Sequence, residues 1–478
     1  MLLRLTPLAS CLATALALAL PLVHAANRTV TNCSDSGAGS LRLAIAGAAS
    51  SGDTIVFDTA QMACSTITLT SGQIAIDAEQ ITLQGPGAGL LTISGGYVSR
   101  VFRDAPADSL DYNRKLTINN LTIADGRATV AVPTAAIAGG CIYSSGDVTL
   151  SASTVTNCVA EDSSSQVAGG AVWSNSLHVL QGSTISDSQA NGFGVNAAIG
   201  GGAYVRGQIV VSFSTISGNS ALGSHSNLGP GIGGGLASFG GAGGDVQISS
   251  STISGNNSDF GGGLYLSNGS AIRAITIDRS AIFGNHADVS AGGVQLYDGS
   301  SNAVARIVDS TVSGNNSSYW TGGVANFGAA LTISNSTIVF NAAQSSPVGS
   351  AIAAGLNTTA ATLQSSLIAK NLDSGFPSDL GGGVTMLGSG NLIIATRPGT
   401  TAPAATLTGD PLLGTLMDNG GPTLTRALLN GSPAIGTGNN PAHLGSDQRG
   451  PGFARSTNGK TDIGAFQTGD GIFYSGLE

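Results

Sequence analysis

The sequence predicts an all-β protein, a right-handed parallel β-helix with an N-terminal capping helix and a C-terminal closing segment. Three observations support this prediction. Short apolar runs alternate with clusters of Gly, Ser and Asn, one phrase recurs about every thirty residues, and the phrase shows no helical period. The 478-residue chain contains 71 glycines, while only 9% of its residues are charged and 5% aromatic, a composition typical of strands and turns.

The repeat consists of two phrases. The first is a pair of small residues, usually glycines, followed by an apolar residue, which recurs every 28 to 33 residues at Ile142, Val172, Ala203, Leu236, Leu264, Val294, Val324 and Leu356. The second resembles Ser-Thr-Ile-x-x-Asn, and its serines are Ser153, Ser183, Ser214, Ser251, Ser280, Ser310, Ser336 and Ser366. Thirty residues are too few to bury a core alone, so the units should stack and share one.

Stacking places equivalent residues in columns, because successive coils of a β-helix lie about 4.8 Å apart. We expect the isoleucines to fill the interior and the serines to face inward and bond along the axis. The glycines should supply positive φ where the chain re-enters a strand. The final asparagines should close a turn in left-handed backbone and bond the next coil: Asn219, Asn256, Asn285, Asn315, Asn341 and Asn371. The repeat is therefore interpreted as structural.

The chain divides into four segments. Residues 1–25 read as a signal peptide, with an apolar stretch that ends in Val23-His24-Ala25. Residues 26–60 are predicted to form the N-terminal cap, which includes a short helix near 40–50 with Ser40 as its N-cap. The β-helix should occupy residues 61–380, and the closing coils and C-terminal segment residues 381–478.

Four cysteines remain after removal of the signal peptide, and they allow three pairings. We favour Cys33–Cys64 and Cys141–Cys158, because Cys141 opens one coil and Cys158 closes it. Export makes disulfides possible. The spacings do not resemble a zinc site, so metal ligation is the weaker interpretation, and no metal or cofactor is expected.

Charge and hydropathy limit the partners. The net charge is −9 and basic residues do not cluster, which argues against nucleic acid and against an anionic membrane surface. No segment after residue 25 is apolar enough to span a membrane. We therefore expect a secreted or extracellular monomer, free or associated with a cell surface.

Two terminal stretches resemble known families. "GSLRLAIAGAASSGDTIVF" (39–57) resembles the start of secreted bacterial β-helix proteins of the CSLREA type, with Leu43 where that family usually has an acidic residue. "GDPLLGTLMDNGGPTLTRALLNGSPAIGTG" (409–438), "SDQRG" (446–450) and "TDIGAF" (461–466) resemble the choice-of-anchor Q domain, with Arg426 where histidine is common. The repeats are similar to those of polymorphic outer-membrane proteins. The resemblance implies a pectin-lyase-like β-helix, structural roles for Asp447, Gln448, Arg449 and Asp462, and little about chemistry.

Catalytic candidates are few. The sequence contains three glutamates, Glu79, Glu161 and Glu478, which is too few for the carboxylate clusters of calcium-dependent lyases. The densest charged patch supplies four candidates for a lyase-like or hydrolase-like site: Arg279, His286, Asp288 and Asp298. The competing interpretation is structural, since Arg279 and Asp309 both precede a repeat serine and should form an exposed ion pair.

Aromatic residues offer a second hypothesis. Tyr143, Trp173, Tyr204 and Tyr265 each follow a residue of the apolar column, so strand alternation should point them outward. A solvent-facing aromatic stripe would suit glycan binding, although the loops at 159–168 and 189–199 could instead cover it. The function predicted first is therefore a secreted, non-catalytic glycan- or surface-binding protein. The alternative is a secreted polysaccharide lyase or glycoside hydrolase.

A third hypothesis concerns threonines. Thr154, Thr184, Thr215, Thr252, Thr311 and Thr337 form an outward column that is interrupted at Ala281 and Leu367. Regular threonine arrays order water in ice-binding solenoids, which makes this column a candidate for the same role.

Overall fold

The computed structural model describes residues 25–48, 52–105, 110–129, 137–163, 165–193, 197–223, 229–239, 243–267, 274–298, 303–344 and 353–469. The predicted signal peptide, apart from Ala25, and the last nine residues lie outside this part of the chain. The described chain is a parallel β-helix, as the sequence predicts, with four long sheets that run along its axis.

Each coil begins with a strand of the sheet that we call the glycine-side sheet and continues with a strand of the long-strand sheet. The glycine-side sheet contains, in order, Ile74–Ala75, Phe102–Asp104, Ile142–Ser144, Val172–Ser174, Ala203–Val205, Leu236–Ser238, Leu264–Ser267, Val294–Tyr297, Val324–Phe327, Leu356–Thr358 and Leu380–Gly381. The long-strand sheet contains Asn27–Val30, Asp53–Phe57, Gln80–Gln84, Lys115–Asn119, Asp147–Ser151, Ser176–Leu180, Ile209–Ser212, Val246–Ser249, Ala274–Asp278, Val304–Val308, Ala330–Ser334, Ala361–Gln364 and Leu387–Ser389.

The other two sheets complete the coil. The threonine sheet contains Thr66–Thr68, Thr92–Ser94, Thr122–Ala124, Thr154–Thr156, Thr184–Ser186, Thr215–Ser217, Thr252–Ser254, Ala281–Phe283, Thr311–Ser313, Thr337–Val339, Leu367–Ala369 and Leu392–Ile393. The loop sheet contains Arg127–Ala128, Val159–Asp162, Gln189–Gly192, Ser220–Leu222, Asn257–Phe260, His286–Ser290, Asn316–Ser317, Ala342–Ala343, Leu372–Asp373 and Phe376–Pro377. Four short return strands belong to it: Ile137–Ala138, Val167–Ala168, Ala198–Ile199 and Gly231–Ile232.

The interior is built from the predicted apolar columns. The first-phrase residues and the Ile/Val residues of the second phrase are both buried, for example Ile142 and Ile253 at 0% exposure. The first glycine of a pair supplies the positive φ that re-entry requires, as at Gly139 and Gly169. These features confirm the predicted roles of the isoleucines and glycines.

The serine and asparagine columns form continuous polar ladders. The N–H of Ser280 donates to Oγ of Ser310 at 3.1 Å, and other serines of the column repeat this bond. In the asparagine ladder, Nδ2 of Asn285 donates to Oδ1 of Asn315 at 2.9 Å and to the Ile253 carbonyl at 3.0 Å. The prediction that the asparagine itself has left-handed backbone is wrong. The residue before it takes the positive φ, as Gly284 does, and the asparagine side chain turns inward.

The N-terminal cap includes the helix Leu41–Ala46, whose N-cap Ser40 accepts a hydrogen bond from the Leu43 N–H. Leu41 and Ile45 are buried against the first coils, so the helix covers the end of the core. A second helix, Thr59–Met62, begins after Asp58. Both favoured disulfides are present, with Cα–Cα distances of 6.5 Å for Cys33–Cys64 and 5.4 Å for Cys141–Cys158.

The C-terminal segment, residues 409–469, packs along the side of the threonine sheet. It contains an antiparallel pair, Leu413–Met417 with Thr425–Leu428. Gln448 accepts a hydrogen bond from Thr311 Oγ1 at 2.6 Å, and the N–H of Ala465 donates to Thr337 Oγ1 at 2.9 Å. The last rung of the β-helix, by contrast, consists of residues 396–407, which pair with the coil below through isolated bridges.

Candidate functional site

The four predicted catalytic residues lie on different sides of the β-helix. Arg279 lies in the turn between the long-strand and threonine sheets, His286 and Asp288 lie in the loop sheet, and Asp298 follows the glycine-side sheet. Asp298 is 5% exposed and its Oδ2 accepts the Ala303 N–H at 2.6 Å, so it holds a turn. The structure brings only His286 and Asp288 together.

The expected ion pair between Arg279 and Asp309 is wrong. Arg279 pairs instead with Asp278 at 2.8 Å, and Asp309 pairs with Arg455 at 3.2 Å. The reason is that the C-terminal segment covers this side of the β-helix and buries Asp309, while its own Arg455, 0% exposed, supplies the cation. Burial raises the pKa of Asp309 to about 8, although the guanidinium of Arg455 opposes the shift.

Asp447 and Arg449 also form a structural pair, with Arg449 Nη2 at 2.7 Å from Asp447 Oδ2. The guanidinium of Arg449 lies between the rings of Phe453 and Phe466, at 4.1 and 3.9 Å from their centroids. These contacts lie inside the C-terminal segment and link its turns to one another, which matches the structural role implied by the sequence resemblance.

The aromatic column forms a continuous stack outside the main core. The ring centroids of Tyr143 and Trp173 are 4.8 Å apart, those of Trp173 and Tyr204 6.1 Å, and Phe239 connects Tyr204 to Tyr265 at 6.1 and 5.3 Å. Strand alternation thus places the rings on the predicted side. Phe239 was missed because it lies outside the repeat column, two residues after Ala237.

The predicted exposure of this stripe is wrong, because Tyr143 is 0% and Trp173 2% exposed. The return strands of the loop sheet fold over the rings and form a second apolar cluster with them: Ala138, Ala168, Ile199 and Ile232. Burial also raises the pKa of Tyr143 to about 12. Since the ring faces are already in contact with protein, a glycan cannot reach them without displacing these strands.

A different set of side chains is exposed on the loop sheet. Tyr319 and Trp320 are 54% and 38% exposed, and they run beside the strand His286–Ser290, where the Trp320 N–H donates to the Val289 carbonyl at 3.1 Å. His286 and Asn316 are neighbours in register on adjacent coils. We call His286, Asp288, Asn316, Tyr319 and Trp320 the polar–aromatic patch.

The polar side chains of this patch are linked to one another. His286 Nε2 lies 3.1 Å from Asp288 Oδ1, and Nδ1 of the same ring contacts Asn316 Oδ1. The side chains of His286 and Asp288 are each about one third exposed, 34% and 32%. Sequence reasoning had singled out His286 and Asp288 for their charge. It missed Tyr319 and Trp320, whose signal is an aromatic pair in the loop just before a glycine pair.

Exposed aromatic rings elsewhere also contact polar side chains, as Tyr112, 43% exposed, contacts Arg206. Within the described ranges, no group of three or more His, Cys, Asp or Glu side chains is placed to hold a metal ion. A cavity of about 450 Å³ at the last rung is lined by Thr, Ala, Ile and Pro side chains, including Ile393, Thr401 and Pro403. Among the residues described, no helix is long and apolar enough to cross a membrane.

The similarity of this chain to known proteins is distant. No family model matches it, and no curated protein does. Among solved structures, the pectate lyase Pel9A aligns with 93% of this chain and 97% of its own, at 13% identity and a TM-score of 0.43. The chain is a parallel β-helix protein on the pairing of its own strands, and this distant likeness adds nothing about its chemistry.

Proposed function

We propose that this protein is an extracellular, non-catalytic binding protein for neutral polysaccharide, and that the polar–aromatic patch is its contact surface. The observation that carries the proposal is the exposure of Tyr319 and Trp320 beside the linked side chains of His286, Asp288 and Asn316. Exposed aromatic side chains beside polar groups commonly mark contact sites.

The chemistry of the patch suits a sugar chain. Aromatic rings offer flat apolar faces to the C–H groups of a pyranose, while an imidazole, a carboxylate and an amide donate to and accept from its hydroxyls. His286 and Asp288 lie on one strand, and strand pairing places Asn316 on the next coil, about 4.8 Å away along the axis. The strands that carry His286, Asp288 and Asn316 hold these polar groups in place, so they lose little conformational entropy on binding.

Charge favours a neutral ligand. The net charge of −9 opposes long anionic polymers such as uronates, and the patch itself contains a carboxylate. The extracellular location rests on the predicted signal peptide and on two disulfides, which persist in oxidising compartments. We also propose that the start of the chain is of the CSLREA type and its end of the choice-of-anchor Q type. The repeats would then be related to those of polymorphic outer-membrane proteins, and the protein would be a monomer.

The test is retention of purified variants in gels that contain a neutral polysaccharide, namely xyloglucan, mixed-linkage β-glucan or galactomannan. Replacement Trp320→Ala should abolish the retardation, and Tyr319→Ala should weaken it. Phe213→Ala is the matched control, because Phe213 is 58% exposed in a turn between the long-strand and threonine sheets. It should migrate as the wild type does, and all three variants should keep the wild-type melting temperature.

Two outcomes would contradict the proposal. Retention that survives Trp320→Ala but is lost in Phe213→Ala would place the contact surface elsewhere. New reducing or unsaturated ends, produced by the wild type and lost in His286→Ala, would show that the protein is a hydrolase or a lyase. The contact between His286 and Asp288 is the observation that favours this second function, since a carboxylate can orient an imidazole for proton transfer.

A further inference from the structure

One face of the β-helix is a regular array of hydroxyl groups. Seven threonines occupy the same position in seven consecutive strands of the threonine sheet, and strand pairing holds each one opposite the next: Thr66, Thr92, Thr122, Thr154, Thr184, Thr215 and Thr252. Six steps of about 4.8 Å make the column about 29 Å long. The sequence pattern had indicated only the last four of these, because the earlier coils depart from the repeat phrase.

A second column runs parallel to the first. It lies two residues later in each strand and contains Thr68, Ser94, Ala124, Thr156, Ser186, Ser217 and Ser254. The two columns are separated by about 6.6 Å, the length of two strand residues. Neither column contains a charged, amide or aromatic side chain, so every member presents a small hydroxyl or methyl group.

The C-terminal segment covers one end of this face and leaves the other open. Where it covers the column, Thr311 and Thr337 are 1% and 3% exposed, and their hydroxyls bond Gln448 and Ala465. This interface shows that the outward hydroxyls of the column bind the polar groups placed on them. The coverage begins beyond Thr252, near Ala281 and Arg279, whose carbonyl accepts a bond from Thr423.

The open stretch keeps its hydroxyls available. Thr154, Thr184, Thr215 and Thr252 are partly exposed, and within the described part of the chain their hydroxyls make no hydrogen bond to protein. In the second column, the hydroxyls of Thr156 and Ser186 bond each other at 3.0 Å. In the coil before them, the Thr122 hydroxyl donates to the Ala88 carbonyl at 2.6 Å. The turns on both sides of the four strands belong to the described residues.

We propose that this open threonine face binds the surface of an ice crystal through an ordered layer of water. A ligand that engages identical groups at a constant interval over several coils must itself be periodic in two directions. The lack of charge in both columns disfavours ionic lattices and anionic polymers, and the lack of aromatic rings disfavours sugar chains. A water lattice is periodic and uncharged, and it both donates to and accepts from hydroxyls.

The side-chain chemistry and the rigid framework both favour ordered water. Each threonine anchors one water through its hydroxyl, while the neighbouring methyl restricts the orientations of nearby waters. β-branched side chains are stiff at χ1, so the column loses little rotamer entropy when it binds. The ladders of serine and asparagine beneath the sheet hold the spacing of the coils. This face is distinct from the polar–aromatic patch, because the patch lies on the loop sheet, which follows the threonine sheet in each coil.

The experiment is nanolitre osmometry combined with ice-crystal microscopy on the full mature chain. The wild type should separate the freezing from the melting temperature and facet the ice crystals. Replacing Thr184 and Thr215 together with tyrosine should abolish both effects, since bulky rings break the regular surface. The matched control is Thr149→Tyr, which carries the same ring outward on the long-strand sheet and should retain the wild-type effects.

The controls separate loss of ice binding from loss of folding. Equal melting temperatures for the three proteins by circular dichroism exclude a folding defect, and the milder pair Thr184→Val and Thr215→Val serves if the tyrosine variant unfolds. A wild type without a freezing gap and without faceting overturns the proposal, as does a gap that the Thr149→Tyr variant loses equally. If the face binds crystalline cellulose and ice is unaffected, the ligand is a polysaccharide and the ice proposal is wrong.

Discussion

Asn285 shows how a single side chain connects three coils. Its amide donates to Ile253 and Asn315, and its oxygen accepts from the N–H and Nδ2 of Asn256. Replacement Asn285→Ala removes the acceptor of the buried Asn256 N–H and weakens the ladder on both sides, and an unsatisfied buried group costs about 1–3 kcal/mol. We expect a loss of about 2–4 kcal/mol in the free energy of unfolding, measured by denaturant titration.

The control for this prediction is Asn113→Ala. Asn113 is exposed and lies outside the ladder, so its replacement should change the free energy of unfolding by less than about 0.5 kcal/mol. Equal effects of the two substitutions would show that the asparagine ladder does not stabilise the stack.

Asp309 should make stability depend on pH. Burial raises its pKa to about 8, against about 4 for an unfolded aspartate, so the folded chain holds one more proton between these values. Stability therefore falls as pH rises through this window, and the loss is complete above the folded pKa. Asp309→Asn should flatten the fall in melting temperature between about pH 5 and about pH 9. An unchanged slope would mean that Asp309 is ionised throughout.

Trp173 is predicted to be structural. It is 2% exposed between Tyr143 and Tyr204, and burial of this kind makes replacement by alanine cost about 3–5 kcal/mol. Trp173→Ala should lower the melting temperature by several degrees, whereas the exposed Trp320 should tolerate the same replacement. If the Trp173→Ala variant is as stable as the wild type but is no longer retained by polysaccharide, the aromatic column is a binding site and the structural role is wrong.

At the scale of single elements, the coil from Cys141 to Cys158 is closed by a disulfide across 17 residues. Cross-linking a loop of this length restricts the unfolded chain and stabilises the fold by about 3 kcal/mol. Replacing both cysteines with serine should reduce the free energy of unfolding by about that amount and leave the circular dichroism spectrum unchanged. A doubly substituted chain as stable as the wild type would show that packing alone holds this coil.

The sequence predicted the strands well because each strand repeats a short local pattern. Stacking then fixes the columns, since identical phrases can align in only one register. The covering of the aromatic column was not predictable in the same way, because the return strands, such as Ala198–Ile199, are two residues long and their spacing from the preceding strand varies. A two-residue strand carries no periodicity that marks it.

At the scale of the whole molecule, the least predictable contacts join segments that are distant in sequence. Asp309 meets Arg455 across 146 residues and Thr311 meets Gln448 across 137. No local pattern encodes such pairs, and the exposed ion pair expected for Arg279 with Asp309 was wrong for this reason. The same lateral packing decides which part of the threonine face and which charged groups stay open to solvent.

The central claim is that the polar–aromatic patch, and not the buried aromatic column, contacts polysaccharide. The chain has two tryptophans, one in each place, so fluorescence of two single-tryptophan variants separates them. Titration with xyloglucan, mixed-linkage β-glucan or galactomannan should shift the emission of Trp173→Phe, which retains Trp320, and should leave that of Trp320→Phe unchanged. A shift confined to the variant that retains Trp173, or no shift in either with all three polysaccharides, would contradict the account.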